Sequence, residues 1–141
     1  MAGFSNTPPA SEFRRATSWG RTRGPKNLTG AQGASATVLV STAAPSAATD
    51  GYATENQRYL HLLLDTDTDG QTVTITVWAY SHAFGSWGAL TGVTAAAAVT
   101  AADAKKHQVF EISGVDRVYF RSTGGNAFDG NDKLYAACST F

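Results

Sequence analysis

"TVTITVWAY" (residues 72–80) alternates small apolar side chains with threonines and aromatics along its whole length. Successive side chains of an extended chain point to opposite faces. Val73, Ile75, Val77 and Ala79 therefore share one face, and Thr72, Thr74, Thr76, Trp78 and Tyr80 the other. A helix would scatter the same residues around its circumference. Val, Ile, Thr, Trp and Tyr also suit a pleated, half-buried surface. We read a half-buried strand.

The same pattern extends outward. In "RYLHLLLD" (58–65), Leu60, Leu62 and Leu64 fall on one face and Tyr59, His61 and Leu63 on the other. After the central strand, "SHAFGSW" (81–87) reads as a turn and "WGALTGV" (87–93) as the returning strand. "QVFEIS" (108–113), "DRVYFRST" (116–123) and "KLYAACST" (133–140) read as the last three strands. "SGVD" (113–116) is a close turn, and "GGNAFDGND" (124–132) a glycine- and asparagine-rich loop. Upstream, "ATVLVS" (36–41) is a short β-branched run, followed by the polar connection "APSAATDGYATENQ" (44–57). "TAAAAVTAADAKKHQ" (94–108) is alanine-rich, which favours helix on propensity. Its apolar residues are small and interrupted by Thr94 and Thr100, so a loop with one helical turn over 101–106 is expected. About seven strands with regular turn signals and little helix imply an all-β fold, an antiparallel, jelly-roll-like β-sandwich over 36–141. Short connections imply antiparallel pairing.

Between two of these strands lies "DTDTDG" (65–70), which matches the opening of an EF-hand calcium loop. Such a loop needs a bidentate acidic ligand at its twelfth position. Counted from Asp65, that position is Thr76, inside the clearest strand. With strands on both flanks, Asp69-Gly70 reads instead as a type I′ hairpin turn. The alternative is a weak cation site on Asp65, Asp67 and Asp69 with carbonyls and water. Three close carboxylates at a tip repel one another unless a cation or basic group sits beside them.

The chain has 141 residues, eleven basic and eleven acidic, so its formal net charge is zero. The charge is unevenly placed. Residues 1–35 carry Arg14, Arg15, Arg21, Arg23 and Lys26 against Glu12, and show neither apolar period. We read an extended basic N-terminal arm (1–35) ahead of an acidic body, with Phe13 and Trp19 as aromatic anchors. Such an arm ahead of such a body signals an interaction tail. Cys138 is the one cysteine, so no internal disulfide can form. It shares a face with Leu134 and Ala136 and reads as a small core residue. The N-terminal stretch has no apolar run for a signal peptide, and no run approaches the about 20 residues of a membrane span. A reducing compartment, or a virion assembled in one, is expected.

Catalytic motifs are missing: no G-x-S-x-G, P-loop, H-E-x-x-H or dinucleotide glycine fingerprint occurs. His61, His82 and His107 are not spaced as metal ligands. His61 reads as a cross-strand or interface residue. No enzyme activity and no cofactor are expected. "WAYSHAFGSW" (78–87) crowds Trp78, Tyr80, Phe84 and Trp87 onto one hairpin. Aromatics on a sheet can stack sugars or single-stranded bases. No lysine or arginine lies between Asp65 and Ala104, which argues against specific nucleic acid and leaves carbohydrate open. Sheet packing or a protein interface is the plainer reading of the cluster.

The strand "TVTITVWAYSHAFGSWGALTG", then "HQVFEISGVDRVYFRSTG" and the closing "LYAACST", resembles small β-sandwich virion structural proteins of tailed bacteriophages. The likeness covers about residues 58–141 and lies in the order of strands and turns rather than in a catalytic motif. It implies a virion structural role, first of all as a capsid decoration (cement) protein. The implied partners are the major capsid protein or other virion proteins and further copies of itself, with no membrane. A head–tail connector, neck, tail or fibre-base component is the alternative station, and a carbohydrate-binding module the alternative class. The basic arm and the Ala/Thr/Gly-rich composition are similar too.

Overall fold

The computed structural model describes residues 26–28, 37–92, 95–123 and 128–140. Nine strands occur among them: β1 (Lys26–Asn27), β2 (Tyr52–Ala53), β3 (Tyr59–Asp65), β4 (Thr72–Ser81), β5 (Ser86–Ala89), β6 (Ala98–Ala102), β7 (Lys105–Glu111), β8 (Arg117–Thr123) and β9 (Lys133–Ser139). They form two antiparallel sheets. Sheet A runs β1-β9-β3-β7; sheet B runs β2-β8-β4-β5, with β6 also paired to β4. β5 and β6 share one edge of β4, at Trp78–Ser81 and Thr72–Thr76 respectively.

The winding is simple once the strands are taken in pairs. β3–β4, β6–β7 and β8–β9 each cross from one sheet to the other. β3 has β7 and β9 as neighbours, and β4 has β6 and β8. A three-ribbon sheet is thus folded over on itself, which gives the expected sandwich. The inner faces carry Leu60, Leu62 and Leu64 of β3, Val73, Ile75 and Val77 of β4, Val118 and Phe120 of β8, and Leu134, Ala136 and Cys138 of β9, all buried. Each fully buried aliphatic or Phe side chain contributes about 1.5–3 kcal/mol relative to exposure.

Several expectations are corrected. Residues 65–70 do not make a hairpin, because β3 and β4 lie in different sheets. Of Asp69 and Gly70 only Gly70 has positive φ (79°), so the type I′ geometry is missing. That geometry appears instead at Glu55 and Asn56 (φ 53° and 59°), closed by the Gln57 amide on the Thr54 carbonyl. The turn 113–116 also joins strands of different sheets. The stretch 94–108 holds no helical turn over 101–106. It forms β6 and β7 around a corner at Asp103, whose φ is 48°. Ala97, Val99 and Ala101 are buried there, and that packing overrides alanine's helix preference. The run 36–41 is no ladder strand. Its described part crosses between sheets, with Val38 N–H donating to the Leu134 carbonyl of sheet A and Ser41 bridging Arg121 of sheet B.

The arm boundary moves as well. Residues 26 and 27, assigned to the arm from sequence, pair with β9, and Leu28 is buried in the core. At the other edge of sheet A, Lys106 and Gln108 oppose Leu64 and Leu62, inward positions, yet stay exposed. Polar residues facing inward on an edge strand discourage edge-to-edge pairing.

Candidate functional site

Three surfaces collect the residues that the sequence singles out. The first is the corner at one end of the sandwich. Thr66 and Ala104 bind reciprocally across it: the Thr66 amide and hydroxyl donate to the Ala104 carbonyl (3.3 and 3.0 Å), and the Ala104 amide donates to Thr66 Oγ1 (3.2 Å). Asp65 pairs with Lys105 at 3.1 Å. Asp67 Oδ1 accepts from the Asp69 amide, Asp69 Oδ1 from the Gln71 amide, and Asp103 Oδ1 from the Gly70 amide. Asp129 and Asp132 cap their own loop in the same way. Asp67 is pushed above the usual carboxylate range, first by partial desolvation and then by the Asp69 charge. The three sequence-predicted aspartates are therefore spent on a salt bridge and on backbone amides. Among the described residues, no group of three or more His, Cys, Asp or Glu is arranged to hold a metal ion.

The second surface is the outer face of sheet B. Tyr80 opposes Trp87 across the β4–β5 hairpin, which forms as expected, with ring centroids 5.3 Å apart. Trp87 also meets Tyr119 edge-on at 6.0 Å. This face is paved by the chain's own loop 42–51. The Trp87 indole N–H donates to the Ala47 carbonyl (2.8 Å) and the Tyr119 hydroxyl to Ala43 (3.1 Å). Arg117 donates to the carbonyls of Thr49, Asp50 and Gly51, and Arg121 to that of Thr42. Asp50 braces the loop from within by accepting from the Ser46 and Ala47 amides. Those two bonds hold its carboxyl below its ordinary value. Tyr80 is buried beneath Trp87 and His82, although alternation places it on the outer face. The four sequence-predicted aromatics do not form one platform. Trp78 and Trp87 are half-buried, Tyr80 is buried, and Phe84 stands out at the hairpin tip, 84% exposed. Behind that hairpin, Ala79, Gly88, Leu90 and Val115 line an open cleft of about 280 Å³.

No family model, curated protein or solved structure matches this chain. Its surfaces must be read from their own chemistry.

The third surface is the outer face of sheet A, which the sequence reading passed over. β3 contributes Tyr59, His61 and Leu63, β7 contributes His107 and Val109, and β9 contributes Tyr135 and Ala137. Leu63 lies opposite Tyr135 and His107, and His61 opposite Ala137 and Val109. The rings of His61 and His107 stack nearly parallel, 11° apart in plane and 5.9 Å between centroids. His61 Nε2 meets Ser139 Oγ at 2.8 Å. Burial first, and the neighbouring His107 second, hold His61 below its ordinary pKa. Arg58 lies over Tyr59 and pairs with Glu111 at one end; Lys105 pairs with Asp65 at the other. Unlike sheet B, no described loop is hydrogen-bonded across this face. The signal was present in sequence, since Tyr59, His61 and Leu63 alternate as regularly as the leucines between them. It was hidden because a half-apolar outer face reads like an inner one.

The arm residues Phe13, Arg14, Arg15, Trp19, Arg21 and Arg23 lie outside the described residues. Lys26 is placed in β1 by its backbone. Cys138 is buried in the core, as expected.

Proposed function

We propose that this protein is a bacteriophage virion structural protein, a capsid decoration protein that binds and stabilises the head shell through its N-terminal arm and a sandwich surface. The observation that carries the reading is the difference between the two outer faces. The chain covers sheet B with its own loop, using Arg117, Tyr119, Arg121 and Trp87 as pins. It leaves sheet A with half-buried leucine, tyrosine and alanine over a rigid core. A rigid block with one prepared face and a basic tether suits a protein whose work is adhesion. Repetition on a lattice multiplies such weak contacts into avidity. The sequence likeness to phage sandwich proteins supports the same reading. The carbohydrate alternative loses ground because the aromatics offer no common stacking platform: Tyr80 is buried, Trp78 and Trp87 are half-buried, and Phe84 stands alone at the hairpin tip.

Quantitative mass spectrometry of purified virions tests the proposal. A decoration protein occurs in a fixed, high ratio to the shell subunit. A neck, tail or fibre-base component occurs at ring-like, far lower stoichiometry. Absence from purified particles refutes a virion role altogether.

A further inference from the structure

We infer that the outer face of sheet A is the docking site for the N-terminal arm, residues 1–25, of a neighbouring copy of this chain. The inference rests on the adhesive role proposed for the arm and names what the arm grips. Three strands of seven residues make a face of about 23 by about 14 Å. Within it, Tyr59, Leu63, Val109, Tyr135 and Ala137 form an apolar strip flanked by histidines and charged side chains. Val109, on the edge strand β7, is 42% exposed. The core leucines Leu60, Leu62 and Leu64 pack behind it, and the His61–His107 stack and the Ser139 contact tie its side chains together.

Three observations choose the occupant. The first is where the arm begins. Lys26 pairs with Cys138 on the outer edge of β9, so residues 1–25 lead off this same sheet. Extended, they reach up to about 80 Å, several times the length of the face. The second is chemistry. The arm carries Phe13, Trp19 and four arginines against Glu12. Its rings suit Leu63, Val109 and Ala137, and its guanidinium groups suit the rings of Tyr59 and Tyr135. Arg58 already lies over Tyr59, 5.2 Å from the ring centre. The third is direction. β1 runs antiparallel to β9, so the chain traced back from Lys26 heads past the Tyr59–Ser139 end of the sheet and not over its face.

The test uses the full chain. Trp19→Cys and Val109→Cys variants are mixed and mildly oxidised; Cys138 is buried and does not compete. A 19–109 disulfide joining one chain of each kind is the expected product. A 19–109 link that forms only when both substitutions sit on the same molecule means the arm folds back on its own sheet, and overturns the inference. Sedimentation velocity supplies the second arm of the test. Val109→Asp, at a position already exposed, should weaken self-association at least tenfold with an unchanged circular-dichroism melt, as loss of an interface anchor does. Leu63→Arg should do the same. Reversing Arg14, Arg15, Arg21 and Arg23 to Glu should match them. If the arginine reversal abolishes self-association while Val109→Asp and Leu63→Arg leave it intact, the arm is adhesive and this face is not its site. If neither class of variant changes it, or the chain is monomeric throughout, the inference falls, while presence in virions still decides the proposed role.

Discussion

Gly51→Ala probes how the loop over sheet B is held. Gly51 has φ of 65°, and a Cβ built there would stand 2.1 Å from the Val118 carbonyl oxygen and 3.0 Å from its carbon. Two costs follow. The left-handed backbone alone costs an alanine about 1–2 kcal/mol. The overlap is with backbone of β8, which no rotamer change relieves, so residues 50–52 must lift off the strand. Lifting them strains the three Arg117 bonds to Thr49, Asp50 and Gly51, and the β2–β8 pairing at Tyr52 and Val118. Hydrogen bonds from a charged group contribute about 1.5–3 kcal/mol each, and losing one of them brings the total to about 2.5–5 kcal/mol. For a chain of this size that lowers Tm by roughly 10–20 °C. Gly114→Ala is the internal control, because its φ is 80° but nothing lies within 4 Å of the new Cβ. It should cost only the conformational term, about 1–2 kcal/mol. Urea unfolding followed by Trp fluorescence measures both variants on one scale. Equal destabilisation of the two would refute the argument that close approach to β8 fixes the loop.

Leu62→Ala should destabilise by about 2–5 kcal/mol, since Leu62 is fully buried, whereas Leu63→Ala on the half-exposed outer face should cost less than half as much; denaturant midpoints of the pair check the face assignment. His61 is held below its ordinary pKa, so the unfolded chain binds more protons than the native one in the window below that value. Stability should be full above about pH 6.5 and fall as the solution is acidified through the window beneath it, and His61→Gln should flatten this slope between urea melts at pH 7.5 and 5.5. Asp50 is held below its ordinary value, so its bracing of Ser46 and Ala47 should persist above about pH 4 and be lost as pH falls through the lower native value. A red shift of Trp emission at that pH, already present at neutral pH in Asp50→Ala, would report release of the loop from Trp87.

Alternation made much of the molecule legible. Leu60, Leu62 and Leu64, and Val73, Ile75 and Val77, were assigned to inner faces from a period of two, and each is buried. Cys138 and the β4–β5 hairpin followed from equally local patterns. The alanine run 94–108 misled because small residues carry no strong period, and only contact with β4 and β3 settles β6 and the first residues of β7 as strand; the rest of β7 was legible in "QVFEIS". The paving of sheet B was half visible, since Arg117, Tyr119 and Arg121 alternate outward along β8. Their partners are backbone carbonyls some 66 to 79 positions away, which no side-chain pattern announces.

By itself, then, the sequence determined which side chains turn inward along the clearly alternating strands β3, β4, β8 and β9, because that depends only on the pleat of each strand. It also set the uneven charge between arm and body. Tertiary structure alone decided which strands are neighbours. Two strands joined by a short turn bury the same residues whether they lie side by side in one sheet or face each other across a core. For β3 and β4 the corner at Thr66 and Ala104 selected the second arrangement. That choice left one outer face paved by loop 42–51 and the other, among the described residues, without such a hydrogen-bonded cover.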